Sequence, residues 1–521
     1  MRARLPRLLL AALCCALCPR PALCATAAAA EPFDTRQVAL DEADRIPGLG
    51  SLRGSRTQSY WKRRPVYQYQ AIPYAEPTSG PKRFLPPEPA APWTGVLDAT
   101  ALGRRCPQEW EPLSKQTAAP PEPPGGDIED CLTLNVYAPV RPSTRCDRLL
   151  PVMFYIHGGS WRVGSAKDFA PHYLLDRDVL LVVIQYRLGV FEIKRHVVHR
   201  GALTRPRGPF WASLGAVRCG PEHGCCCWCL YMAQKQDLAA GGRATGAGGN
   251  HAVVQKAGAQ RFLVEHPRHS LRLGRHKRLP VMGGVTKHEG SFFFGNIYDI
   301  FLDGEGRMED ADYLRHNLTK VTLEFSGIDD DTGALSDVFR EKYFKESDLG
   351  NFTLMTPGLI DICGVALLKA CTFRMVQENS RLAPSYLYSF NFKGRHTKFG
   401  YGYSFLYPFS GGVAHSDDLI YLFPDGDLNE EEDATARTMV DLWTNFATFG
   451  APAPAYRVPE WPAVSTEHGP YLRIGREPQV RDNFLDEYHI AVQEGLDAAP
   501  HVSGTFATCV IAALFTLAAS L

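Results

Sequence analysis

A chain of 521 residues, 45% hydrophobic and carrying 56 basic against 56 acidic side chains, can bury a large core, and its length alone permits several domains. The balanced charge and the lack of any long basic run exclude a phosphate-tracking surface, so no nucleic-acid partner is expected.

Arg2, Arg4 and Arg7 precede an apolar run, Leu8 to Leu17, and small residues follow from Ala22 to Ala30. Residues 1–25 therefore read as a cleaved secretory signal peptide, and the run is too short to span a membrane. A secretory route permits disulfides and glycans. Asn317-Leu318-Thr319 and Asn351-Phe352-Thr353 are glycosylation sequons suited to such a route.

PVMFYI (151–156) and VLLVVIQY (179–186) are short, continuously apolar and rich in β-branched residues, as central parallel strands covered on both faces require. His157-Gly158-Gly159-Ser160-Trp161 begins where the first of them ends. Paired glycines there let main-chain N–H groups turn towards a bound oxygen, the requirement for an oxyanion hole; an ordinary tight turn is the other reading. Leu279 to Val285 reads as a further strand, followed by His288-Glu289-Gly290. Cys363 and Cys371 sit on an apolar segment with helical character; eight residues of helix hold their Cα atoms roughly 12 Å apart, so they are expected to be buried thiols, not a disulfide. Tyr386 to Phe392 alternates like a strand, and the loop beyond it reaches Val413-Ala414-His415-Ser416-Asp417-Asp418-Leu419. Thr505 to Leu521 is uncharged and apolar, with small residues at Asp497-Ala498-Ala499 and Ser503-Gly504 upstream. Residues 497–521 thus read as a GPI-attachment signal, against a short tail-type membrane helix or an end without a role. The chain is expected to be secreted, or held on the extracellular face of the plasma membrane through its C-terminus.

Several strings occur in a telling order: AIPYAEP, RFLPPEP, Trp93 and CPQ in residues 71–108, EDCLTLNVY in 129–137, and YRLGVF in 186–191. FLVEHPRHSLRLGRHKRLPVMGGVTKHEG follows from Phe262, then APSYLYSFNF, GVAHSDDLIYLF and MVDLWTNFATFGAP. Together they resemble the type-B carboxylesterases, the α/β hydrolases that include the cholinesterases. The resemblance implies one large α/β-hydrolase domain with a mostly parallel central sheet flanked by helices, its N-terminal part in residues 32–191 and its C-terminal part in 262–490. It implies a Cys106–Cys131 disulfide, Glu289 as the triad acid, His415 as the base, and the N–H groups of Gly159 and Ser160 as oxyanion donors. Ser160 stands where the family mostly places glycine or alanine, and His288 reads as a surface neighbour of the acid. The expected partner is a small-molecule ester, with no metal and no organic cofactor; nothing in the chain bears on oligomeric state.

The nucleophile is where the pattern breaks. The family follows YRLGVF with a strand, a long helix and a G-x-S-x-G elbow, and no G-x-S-x-G occurs in the 521 residues. Trp211-Ala212-Ser213-Leu214-Gly215 comes nearest, but tryptophan stands where strand and helix backbones need a small residue, which argues against Ser213 as nucleophile. Residues 192–261 offer no convincing buried strand and carry Cys219, Cys225, Cys226, Cys227 and Cys229. Zinc is not expected there, because three adjacent cysteines cannot all face one ion and no matching pair follows. The segment reads as mistranslated or mis-joined sequence that leaves the fold incomplete in the middle.

Two functions follow from these residues: a serine-type carboxylic ester hydrolase whose chain as written is inactive, or a non-catalytic cholinesterase-like protein used for adhesion at the cell surface. A choline ester would need an aromatic platform late in the loop between Cys106 and Cys131, whereas Trp110 comes early and PPEPPGGDI has no aromatic, so aliphatic or aryl esters are favoured.

Overall fold

The computed structural model describes residues 38–39, 43–108, 125–140, 149–159, 162–189, 191, 264–402, 406–424 and 426–496. All of them lie in the unit Gln37–Leu521. The signal-like start, most of the loop after Cys106 with Trp110, Ser160, residues 192–261 with Ser213, and the apolar tail lie outside the described residues.

The strands in chain order are β1 (Val38–Ala39), β2 (Asp44–Ile46), β3 (Gly50–Arg53), β4 (Ser55–Gln58), β5 (Pro65–Pro73), β6 (Val96–Asp98) and β7 (Thr133–Pro139). They continue as β8 (Val152–Ile156), β9 (Leu180–Ile184), β10 (Val281–Thr286), β11 (Ser385–Phe390), β12 (Tyr471–Ile474) and β13 (Gln479–Arg481). Among the described residues three sheets form, in the orders β1-β4-β5-β7-β9-β8, β10-β11-β12-β13 and β2-β3-β6. The expectation of a mostly parallel sheet is corrected by the pairing. In the first sheet β8 and β9 run parallel, from Val152↔Leu180 to Ile156↔Ile184, and every other neighbouring pair is antiparallel. In the second sheet β10, β11 and β12 are parallel and β13 returns antiparallel. Connection length explains the division: β4 turns back into β5 through a short link, while parallel neighbours need a crossover, which residues 287–384 supply between β10 and β11.

The patterns that form these strands are local. β5 alternates strictly, burying Val66, Gln68, Gln70 and Ile72 on one face, whereas β9 is buried along almost its whole length, as its unbroken Leu-Leu-Val-Val-Ile run demands. Among the described residues, β8 pairs only with β9 and β10 only with β11. The two sheets nevertheless share one core, since Tyr155, Leu181 and Val183 cluster with Met282, Tyr388 and Leu472.

Helix Glu430–Phe449 closes that core. Asn429 and Glu432 form a reciprocal capping box, four acidic residues fill the positive first turn, and Gly450, at φ 72°, ends the helix in the left-handed region. Its apolar stripe of Ala436, Met439, Val440, Trp443 and Phe446 faces inward at helical spacing. Helix Phe352–Gly364, capped by the Asn351 side chain, runs through a π turn at Val365–Lys369 into helix Ala370–Ser380. Cys363 on this run is buried and free; Cys371 is also free but only half-buried, a correction to the expectation of two buried thiols. Burial pushes the two thiols up to about 12 and about 11. Asn317 and Asn351 of the two sequons are exposed. Among the described residues no helix is long and apolar enough to cross a membrane.

Candidate active site

The turn after β8 is fixed by backbone geometry that only glycine supplies. Gly159 has φ 123°, and a Cβ there would lie 1.9 Å from the Val163 carbonyl oxygen. Its own carbonyl accepts from the N–H groups of Arg162 and Val163, at 2.9 and 3.0 Å. Gly164, at φ 116°, closes the turn, where a Cβ would lie 2.3 Å from the Gly158 carbonyl oxygen. Gln108 clasps Gly164 from both sides: its Oε1 accepts from Gly164 N at 3.0 Å and its Nε2 donates to Gly164 O at 3.1 Å. Cys106, two residues earlier, is bonded to Cys131 with a Cα separation of 5.1 Å, so the disulfide segment is one wall of the turn. Gln185, just past β9, donates to the Ser165 hydroxyl and the Arg104 carbonyl and accepts from Ala166 N. Neither glutamine was singled out from the sequence; the CPQ and VIQY strings contain them, but nothing local says that their amides reach back to the same turn.

His157 begins this turn and is buried, its ring stacked on Tyr186 at 4.4 Å while the Tyr186 hydroxyl donates to the His157 carbonyl at 2.5 Å. Burial pushes the imidazole down to about 4. The neutral ring therefore favours the fold fully above about pH 6.5, the unfolded value, and that contribution is lost as pH falls towards 4. The gap corresponds to about 3 kcal/mol. Asp361 and Asp417, pushed up by burial to about 6 and about 7, act in the opposite sense, losing stability as pH rises through those values. The readout is thus a comparison: His157→Gln should unfold with a smaller loss of midpoint between pH 7 and pH 4 than wild type. Equal losses would refute the assignment.

Glu289 and His415 meet at a second place. β10 and β11 run in parallel register to Thr286↔Phe390, and the pairing is prolonged by Lys287 N donating to Phe390 O. The chain then turns at His288-Glu289-Gly290. Glu289 is 1% exposed; its Oε1 accepts from Thr286 N at 2.8 Å and its Oε2 lies 2.6 Å from His415 Nδ1. Gly290 allows this turn to touch helix Phe352–Gly364, where a Cβ would stand 1.9 Å from the Ile360 carbonyl oxygen. The His415 loop is shaped by Ser416, at φ 70°, and by the buried Asp417, whose carboxylate accepts from Ala414 N, Lys398 N and the Thr397 hydroxyl. The Phe292 ring stands 5.9 Å from the imidazole.

His288 corrects the sequence reading, which placed it on the surface. It is fully buried, because the chain runs on two residues past the end of β10 and forms a parallel bridge there with Ala414. Burial, with Lys287, Lys369 and Lys393 nearby, holds its imidazole well below the usual histidine range.

Residues 41–193 and 216–492 match the model of the carboxylesterase family. The chain belongs to that family. The second match begins at residue 216, inside the stretch read from the sequence as lacking family pattern. This carboxylesterase-family chain is 26% identical to glutactin of Drosophila melanogaster over 83% of its own length, but spans only 49% of glutactin. It is 26% identical to juvenile hormone esterase of Tribolium castaneum, covering 80% of this chain and 84% of that one, and to carboxylesterase 5A of Felis catus, covering 86% and 93%. The crystal structure of juvenile hormone esterase from Manduca sexta, with OTFP covalently attached, superposes with a TM-score of 0.61 at 20% identity, covering 88% of this chain and 99% of that one. The α/β fold is therefore shared with an esterase.

Proposed function

We propose that the protein is a serine-type carboxylic ester hydrolase in design, and that the chain as it stands is inactive because it offers no G-x-S-x-G serine. The observation that carries the first half is the 2.6 Å contact between His415 Nδ1 and the buried Glu289 carboxylate. With Nδ1 committed to the carboxylate, proton traffic falls to Nε2. In a complete enzyme, Nε2 takes the proton as a serine oxygen attacks the ester carbon, and returns it to the departing alcohol. Water, deprotonated by the same nitrogen, then releases the acid from the acyl-serine. The N–H groups of Gly159 and Ser160 are the proposed donors to the oxyanion of both tetrahedral intermediates. Glu289 orients the ring and stabilises its protonated form.

The proposed setting is extracellular. The Cys106–Cys131 bond and the exposed Asn317 and Asn351 sequons support it. A second reading, a non-catalytic binding protein of the cell surface, is favoured by one fact: the absent G-x-S-x-G. Sequencing the transcript across residues 185–265 and assaying its product separates the two. The hydrolase reading expects an elbow serine and turnover of aryl and aliphatic esters in preference to choline esters. A transcript identical to this chain, in a protein that binds a partner at the cell surface, gives the second reading the protein.

A further inference from the structure

We infer that His288 is a positioning residue that sets the register between the turn carrying Glu289 and the loop carrying His415. Its main chain and side chain grip the same residue of the opposite loop. His288 N donates to Val413 O at 2.9 Å, and Val413 N donates to His288 Nδ1 at 2.9 Å. Glu289 is the next residue on one side and His415 lies two residues beyond Val413 on the other, so this pair of hydrogen bonds ties the two loops together immediately beside both partners. Gly412 closes the ring in: at φ 60°, it presents no side chain, and a Cβ there would stand 2.1 Å from His288 Nδ1.

The chemistry selects histidine over an apolar filler. An Nδ1 that accepts from a backbone N–H must be unprotonated, with the ring proton on Nε2. Burial first, then Lys287, Lys369 and Lys393, hold the ring in that neutral form; the backbone of Gly495, which faces the imidazole from the C-terminal segment, acts in the opposite sense and is outweighed. A hydrophobic side chain of similar volume would fill the space but leave the Val413 N–H buried without an acceptor. Loss of that bond frees the loop two residues before His415, and a proton-transfer pair tolerates only about 0.5 Å of drift.

The inference rests on reading Glu289 and His415 as the acid–base pair, so its test uses a signal that needs no nucleophile. In the full chain, the His415 Nδ1 proton shared with Glu289 should appear as a far-downfield proton resonance, assigned by its loss in His415→Gln. In His288→Leu, folded by circular dichroism, that proton should vanish or exchange with solvent at least about tenfold faster, because the loop opens locally more often. His288→Asn, whose amide oxygen can accept from Val413 N, should keep it. An unchanged resonance and exchange rate in His288→Leu overturns the inference. Should His288→Leu fail to fold, nitrogen chemical shifts of wild-type His288, assigned by their absence in His288→Asn, decide the matter: Nδ1 must be an unprotonated acceptor between about pH 5 and 8, and a protonated Nδ1 overturns it. Failure of the hydrolase reading looks different, with a serine-bearing product that does not hydrolyse esters while the His415 proton and its dependence on His288 persist.

Discussion

Purified as written, the chain should remain unlabelled by an organophosphonate and should hydrolyse a simple aryl ester on the order of 10⁶-fold more slowly than a carboxylesterase with its serine in place. The reason is a missing bond, not a missing site. The organophosphonate reports the formation of a phosphorus–oxygen bond to an activated serine, and His415, as the proposed base, would activate only an oxygen brought to its Nε2. With the glycine turn after β8 in place, the proposed oxyanion donors and substrate binding would remain, the two contributions that leave a residual 10³–10⁴-fold over water in serine proteases stripped of their triads, an order-of-magnitude expectation for trace activity. The product of a transcript with an elbow serine should label at that residue, between Phe191 and Glu289, and His415→Ala should abolish the labelling. Labelling of the present chain would sink the proposal, and mapping it to Ser213 would show that tryptophan is tolerated two places before the nucleophile.

Asp361→Ala should cost about 3–5 kcal/mol in urea unfolding, the typical loss when one member of a buried ion pair is removed. Asp361 and Lys369 are both fully buried, 3.7 Å apart, and Lys369 Nζ also donates to the Glu487 carbonyl. The other Asp361 oxygen accepts from Ala491 N and Val492 N, at 2.9 and 3.0 Å. Removing the carboxylate strands a buried ammonium and takes the acceptor from the buried Ala491 N–H and the part-buried Val492 N–H at once. Adding Lys369→Met to Asp361→Ala should restore a large part of the loss, because the cost lies in the uncompensated charge more than in the lost attraction. A single variant within about 1 kcal/mol of wild type would show that the pair is already relieved by solvent or by protonation, consistent with burial having pushed Asp361 up to about 6. The consequence reaches the site. The segment that Asp361 holds includes Glu494, which pairs with Lys287 at 2.9 Å, one residue before His288.

Reading residues in order was enough for features whose cause is local. The unbroken apolar run of β9 and the paired glycines after β8 each carry their own reason within a few positions. Glu289 and His415 were legible for a different reason: the strings around them resemble a family, not because any spacing relates two residues so far apart. Periodicity could not tell His288 from Glu289, since neighbours in one turn differ only in which partner the other loop offers. It could not reveal that Gln108 and Gln185 converge on the turn at Gly159 and Gly164, because amide hydrogen bonds across sheets leave no pattern along the chain. Nor could it assign the direction of the outer strands, since an apolar run fits a parallel or an antiparallel neighbour equally well until the connections are placed. By itself, then, the amino-acid sequence determined the four apolar strands β8 to β11, the glycine turn and the family. Tertiary structure alone decided that a buried histidine joins the loops of Glu289 and His415, that β8–β9, β10–β12 and β3–β6 pair in parallel while the other neighbours run antiparallel, and that a carboxylate and an ammonium lie together in the interior. Those choices depend on which distant groups share a low-dielectric space, a quantity that no local window contains.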